Sequence, residues 1–194
     1  RPEFTDPEIL RSSLAGVILR MKSLHLGGEG GRVEDFPFLD MPSGRAIADG
    51  IQLLQELGAM DEAQELTALG AELSRLPLDP RVGRMILAAR EQHCLREVLV
   101  IASALSVQDP RERPPERQQA ADQAHAQWKD PDSDFAALIN LWRGFEEQRQ
   151  ALTANPLRNW CRKNFLNYLR LREWRDAHRQ LALICRDLQL TVNK

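Results

Sequence analysis

The 194 residues carry 26 lysines and arginines against 28 acids, with 43% hydrophobic and 28% charged side chains. That composition supports a soluble core in one large domain or two small ones, and a net charge of −2 gives no reason to infer a nucleic-acid partner from composition alone. The apolar run from Val98 to Leu105 is far shorter than the ~20 residues of a membrane span, which excludes a spanning helix there.

The first residues, Arg1-Pro2-Glu3-Phe4, have neither Met nor a signal-peptide core and read as a point inside a longer chain. Thr5 and Glu8 have capping-box spacing, and Pro7 suits a first helical turn. Leu10, Leu14, Val17, Ile18, Met21 and Leu24 then recur at helical spacing until Gly27-Gly28 stops the pattern. The glycine-rich stretch 27–31 lacks the Lys-Ser/Thr of a phosphate loop and follows no strand, so it reads as a plain loop.

Phe36-Pro37-Phe38-Leu39-Asp40 reads as extended, because the residue before a proline is pushed out of the helical region. Ser43 caps a second helix with Ile47, Ile51, Leu54 and Leu57 as its buried stripe, and Gly58 ends it. A small hairpin is expected from residues 59–61 and 65–67, then a short helix from Thr67 to Leu76. Helices plus a small β-hairpin are the content of a winged helix.

Beyond Pro77 the pattern is helical. Asp79-Pro80 opens a helix through Val82, Met85, Ile86 and Ala89. Residues 94–106 are apolar nearly all round and predict a buried central helix. Prolines at 110, 114 and 115 break the chain before a helix at 116–128. Asp130-Pro131-Asp132-Ser133 caps another carrying Phe135, Leu138, Ile139, Trp142 and Phe145. Asn155-Pro156 opens a last long stretch whose final stripe is Trp174, Ala177, Leu181, Ile184, Cys185 and Leu188. The fold class is therefore mainly α: the helices and small β-hairpin content of a winged helix up to Pro77, then a helical bundle.

No catalytic constellation is visible. His25, His93, His125 and His178 are dispersed, and no His-x-x-x-His or Cys-x-x-Cys supplies metal-ligand spacing. Cys161 and Cys185 fall on apolar stripes and read as packing groups, and three widely spaced thiols fit a reduced, cytoplasmic setting. Charge, however, is uneven. Between Glu29 and Glu72 ten acids (Glu29, Glu34, Asp35, Asp40, Asp49, Glu56, Asp61, Glu62, Glu65, Glu72) face only Arg32 and Arg45. Between Asn155 and Arg179 the balance reverses: Arg158, Arg162, Lys163, Arg170, Arg172, Arg175 and Arg179 face Glu173 and Asp176. Such a rear half suits phosphate contact or stacking on bases, although two solvated helix faces would look the same. Asn164 shares a stripe with Leu157, Cys161, Tyr168 and Leu171, so its amide needs either an inter-helix partner or a ligand.

Several short blocks carry a resemblance: Thr5-Asp6-Pro7-Glu8-Ile9-Leu10-Arg11, Phe36 to Pro42, Leu57-Gly58-Ala59-Met60-Asp61, Leu66 to Gly70 and Leu76-Pro77-Leu78-Asp79-Pro80. They continue with Leu105-Ser106-Val107, Arg113-Pro114, Ala121-Asp122, Ser133-Asp134 and Trp160-Cys161-Arg162-Lys163-Asn164-Phe165-Leu166. In this order, over essentially the whole chain, they resemble the region beyond the second RecA-like domain of DEAH-box ATP-dependent RNA helicases. The stretches 106–114 and 167–174 look like the bacterial HrpA branch. Arg111-Glu112-Arg113-Pro114 stands where eukaryotic relatives have Phe-x-Arg-Pro.

The resemblance implies a winged helix, residues 1–77, that docks on the RecA-like domains of the same polypeptide, followed by a ratchet domain, residues 78–194, that walls a tunnel for single-stranded RNA. It places ATP, magnesium and their motifs upstream, with no cofactor in this fragment. It also implies RNA-facing roles for Arg158, Arg162, Lys163, Asn164, Arg170 and Arg172, with Ser133 and Asp134 as a second position. The competing expectation is a helical protein–protein adaptor with no direct RNA contact. A free-standing winged-helix regulator fits poorly, because Ser43–Gly58 carries Arg45 against Asp49 and Glu56 where a recognition helix should be basic.

Overall fold

A computed structural model describes residues 13–26 and 33–188. Its contacts divide the chain into two compact units, Arg1–Ala88 and Ala89–Lys194. The division falls within a helix, beyond the boundary expected at residue 77.

Unit 1 is built from α1 (Leu14–Ser23), α2 (Gly44–Glu56), α3 (Ala68–Ser74) and the start of α4 (Pro80–Glu91). Ser13 caps α1, accepting from the Gly16 amide at 3.1 Å in an extended backbone, so the helix bearing Ile18 and Met21 starts there. The Thr5–Glu8 capping box, Leu10 and the 27–31 glycine loop lie outside the described residues. Ser43 caps α2 as its sequence position implies, and Ile47, Ile51 and Leu54 turn inward. Gly58, at φ 76°, then takes the left-handed turn that ends the helix at little steric cost.

The expected hairpin is not shown. Met60 and Leu66 form a single antiparallel bridge, flanked by Asp61 N–H to Glu65 carbonyl (2.9 Å) and Thr67 N–H to Ala59 carbonyl (3.1 Å). Thr67 leaves the pairing early because its hydroxyl caps α3 at the Gly70 amide. Gly70 itself lies so close to the Ala59 carbonyl that any Cβ would collide with it. Ile18, Leu54 and Leu73, none more than 2% exposed, centre the core of the unit.

Unit 2 holds α5 (Leu95–Leu105), α6 (Gln118–His125), α7 (Asp134–Ala151), α8 (Ala154–Lys163) and α9 (Tyr168–Asp187). The central role expected of residues 94–106 is met: α5 packs on both α7 and α9. Trp174 is fully buried and donates its indole N–H to the Val100 carbonyl (3.1 Å) and the Ser103 hydroxyl (3.0 Å). An indole N–H in a core needs such a partner, and α5 supplies two. Trp128 is only 7% exposed and sits against Trp160, with room provided by Gly144, where a Cβ would meet the indole nitrogen.

Three sequence expectations change. Phe135 is 52% exposed, one residue into α7 and off its buried stripe, and Leu188 lies at the open end of α9, 38% exposed. The helix expected at 116–128 splits into a 3-10 turn, Pro115–Arg117, and α6, with Trp128 folded in beyond its end. The last long stretch is two helices, α8 and α9, because Phe165 takes φ 52° and Asn167 recaps the chain at the Arg170 amide.

A candidate nucleic-acid interface at the α8–α9 turn

The residues between α8 and α9 cannot continue a helix, and their polar groups are taken up by a crossing segment. Residues 109–113 run antiparallel to residues 165–167, with Arg111 bridged to Leu166. The Glu112 amide donates to the Phe165 carbonyl and the Asn167 amide to the Pro110 carbonyl, each at 2.8 Å. Asn167 Nδ2 adds a bond to Glu112 Oε1 at 2.9 Å, and His125 Nε2 lies 3.0 Å from the Phe165 carbonyl. The Arg117 guanidinium sits over the Phe165 ring, 4.8 Å from its centre.

Sequence blocks that are far apart thereby meet at one corner of unit 2. Arg111 binds Asp109 (2.9 Å) and Asp134 (3.2 Å), tying the crossing segment to the first turn of α7. Arg113 binds Asp122 of α6 through two bonds, 2.8 and 3.0 Å long. Burial by itself would raise the Asp109 carboxyl, but hydrogen bonds from the Arg111 side chain and backbone, with its charge, hold it below the ordinary range. Arg111, Arg113 and Gln127 are missed when the sequence is read for free cations and stripes. For Arg111 and Arg113 the signal is only that they fall in the Arg111–Pro114 block; Gln127 carries none.

The expected site residues divide into two groups. Asn164, Ser133 and Asp134 each have a hydrogen-bond or ion-pair partner within the protein, although Asp134 stays exposed. Asn164 donates to the Trp160 carbonyl (2.9 Å) and accepts from Gln127 Nε2 (2.8 Å). Ser133 caps α7 at the Ala136 amide, and Asp134 faces Arg111. Arg158, Arg162, Lys163 and Arg172 are exposed, and none of them is paired with a carboxylate among the described residues. Arg162 reaches only the neutral Asn159 amide, at 3.4 Å. Arg170 is half-buried and donates to the Asp109 carbonyl at 3.2 Å, so it braces the crossing segment.

Behind the turn, Arg149 and Arg175 share Glu146, and Arg179 takes Asp176. The positive charge at the α8 C-terminus and the start of α9 is thus concentrated on side chains with open donors. Among the described residues no group of three or more His, Cys, Asp or Glu could hold a metal ion.

Two family descriptions match the chain: "Helicase associated domain (HA2), winged-helix" over residues 50–78, and "Helicase associated domain (HA2), ratchet-like" over residues 79–138. The whole chain is also 52% identical, over 198 aligned residues, to the ATP-dependent RNA helicase HrpA of Escherichia coli (strain K12). Residues 50–138 thus match helicase-associated (HA2) descriptions, and the whole chain is similar to a segment of HrpA. A homolog of HrpA in Haemophilus influenzae is 50% identical over 200 aligned residues. Both similarities cover 100% of this chain and 15% of the relative, so the chain spans a small part of these helicases' length. Within the HA2 region the winged-helix and ratchet-like matches meet between residues 78 and 79. The free cations of α8 and α9 lie beyond the ratchet-like match but inside the full-length similarity to HrpA.

Proposed function

We propose that this chain is the non-catalytic accessory region of an ATP-dependent DEAH-box RNA helicase. In this reading the winged helix, residues 1–77, docks on the RecA-like domains of its own polypeptide. The ratchet, residues 78–194, guides single-stranded RNA while those domains, holding ATP and magnesium, open and close. The observation that carries the RNA role is the set of exposed, carboxylate-free cations Arg158, Arg162, Lys163 and Arg172 around a turn fixed by the 109–113 segment. Asn164, Ser133 and Asp134 serve this site by shaping the turn and the α7 start, and Arg170 by bracing Asp109. The acid-rich first unit would repel phosphates, and its 33–43 loop presents Leu39 and Met41 to solvent, which suits contact with protein.

Fluorescence anisotropy with a single-stranded RNA at several salt concentrations tests the reading. Reversing Arg158, Arg162 and Lys163 to Glu should weaken binding at least about tenfold and flatten the log–log salt slope by about 2, at roughly 0.7 per lost phosphate contact. Unchanged affinity in that variant would count against RNA guidance. Absence of binding at every salt would favour the adaptor reading, which the exposed Leu39 and Met41 support.

A further inference from the structure

Tyr168, the single tyrosine of the chain, is the first residue of α9. It is half-buried, its ring resting on the core that contains Leu157, Cys161 and Leu171. The guanidinium carbons of two arginines lie over that ring, Arg158 at 5.2 Å and Arg172 at 6.0 Å from its centre. We propose that Tyr168 is a positioning residue that holds Arg158 and Arg172 together as a paired-guanidinium site for backbone phosphates of single-stranded RNA. This rests on the RNA-guiding role given above.

The physical case is the contrast between a ring and a carboxylate as the partner of a guanidinium. A carboxylate neutralises the charge and consumes the donor fork, as happens to Arg111, Arg113 and Arg149. A ring attracts the cation through its quadrupole while leaving the N–H donors, which lie in the guanidinium plane, without acceptors. Arg158 and Arg172 are therefore localised yet still charged and still able to grip two oxygens each. Arginine has many rotamers, so contact with the ring before a ligand arrives lowers the ordering cost of binding.

The ring is itself well held. Asn167, just before it, is fastened by its amide to the Pro110 carbonyl and by its side chain to Glu112. The site also lies at the N-terminal, positive end of the 20-residue α9, which adds to its preference for an anion. Bases are the poorer ligand here, because the ring is already engaged by the two guanidiniums and the core.

Because Tyr168 is unique, replacing tyrosine by 3-fluorotyrosine gives one 19F resonance that reports this site. Titration of the whole chain with an oligouridine RNA at low salt should move that resonance, and the movement should vanish in an Arg158→Gln/Arg172→Gln variant. Tyr168→Phe, which keeps the ring, should bind within about twofold of the parent, while Tyr168→Leu should bind about 5- to 10-fold more weakly with a flatter salt slope. If Tyr168→Leu binds like the parent while the double arginine variant loses affinity, the positioning role falls and RNA guidance stands. If the double arginine variant and the Arg158/Arg162/Lys163 reversal both bind like the parent, RNA guidance falls as well. Should Tyr168→Leu not fold, the 19F titration decides: a resonance that stays still, or that moves equally in the double variant, overturns the proposal.

Discussion

Gln127 Nε2 donates to Asn164 Oδ1 at 2.8 Å, joining the segment beyond α6 to the end of α8 across 37 residues. Together with the bond from Asn164 Nδ2 to the Trp160 carbonyl, it uses each end of the amide internally. Asn164→Ala should therefore lower the unfolding free energy by about 1–2 kcal/mol, and Gln127→Ala by less, with a coupling of roughly 0.5–1.5 kcal/mol. Urea unfolding of the two single variants and the double variant measures this. RNA affinity should stay within about twofold once folding is allowed for, since no ligand contact is lost. An affinity loss at unchanged stability would instead show that Asn164 contacts RNA directly.

Trp174 and Ser103 give a second, ordered expectation. Trp174→Phe removes part of a fully buried ring and leaves the Ser103 hydroxyl with one partner fewer, and should cost about 2–4 kcal/mol. Ser103→Ala should cost about 1 kcal/mol or less, because the indole N–H keeps the Val100 carbonyl. Chemical denaturation midpoints at constant m-value check the order. A larger loss in Ser103→Ala than in Trp174→Phe would contradict it.

His178 makes stability depend on pH. Its ring lies 4.6 Å from that of Trp142, and burial pushes its pKa below the ordinary 6.5, opposed by the charge of Glu146. Protonation is thus less favourable in the folded state than in the unfolded chain. The stability tied to neutral His178 is complete above about 6.5 and declines as pH falls through 6.5 toward the lowered value. The stability difference between the parent and His178→Gln should therefore shift against the parent from pH 7.5 to pH 5. A pH-independent difference, measured by urea unfolding at each pH, would refute this.

The thiols should react in order of access. Burial pushes Cys161 and Cys185 up to about 11, so neither offers appreciable thiolate at neutral pH. Cys94 is half-buried at the junction of α4 and α5. A disulfide reagent on the native protein should label Cys94 first, with Cys161 and Cys185 reacting only on unfolding. Peptide mapping of the first labelled residue settles the order.

Much of the fold was legible because its signals are local. The caps at Ser43, Asp79 and Ser133 act on amides two or three residues away, and all are found in the structure. Buried stripes such as Ile47, Ile51 and Leu54 follow from the helical period alone. The expected hairpin shortens to one bridge: Met60 and Leu66 pair, but the cap at Thr67 and the close approach of Gly70 to Ala59 leave no length for strands. The break between α8 and α9 is not legible locally, because residues 164–167 look acceptable in a helix until the crossing 109–113 segment bonds the Phe165 carbonyl and the Asn167 amide.

The candidate site shows the same division. By itself the amino-acid order determined most of the helices, several of their caps, the acidic front and basic rear, and the ordered blocks that resemble HrpA-type helicases. Only tertiary structure decided which polar residues of those blocks remain open. Asn164, Asp134 and Arg113 find partners 9 to 37 residues away, whereas Arg158 reaches from α8 to the ring of Tyr168 instead of an acid. The reason is physical: helical period and capping operate within about four residues, but the partner of a long polar side chain depends on which surfaces the core brings together.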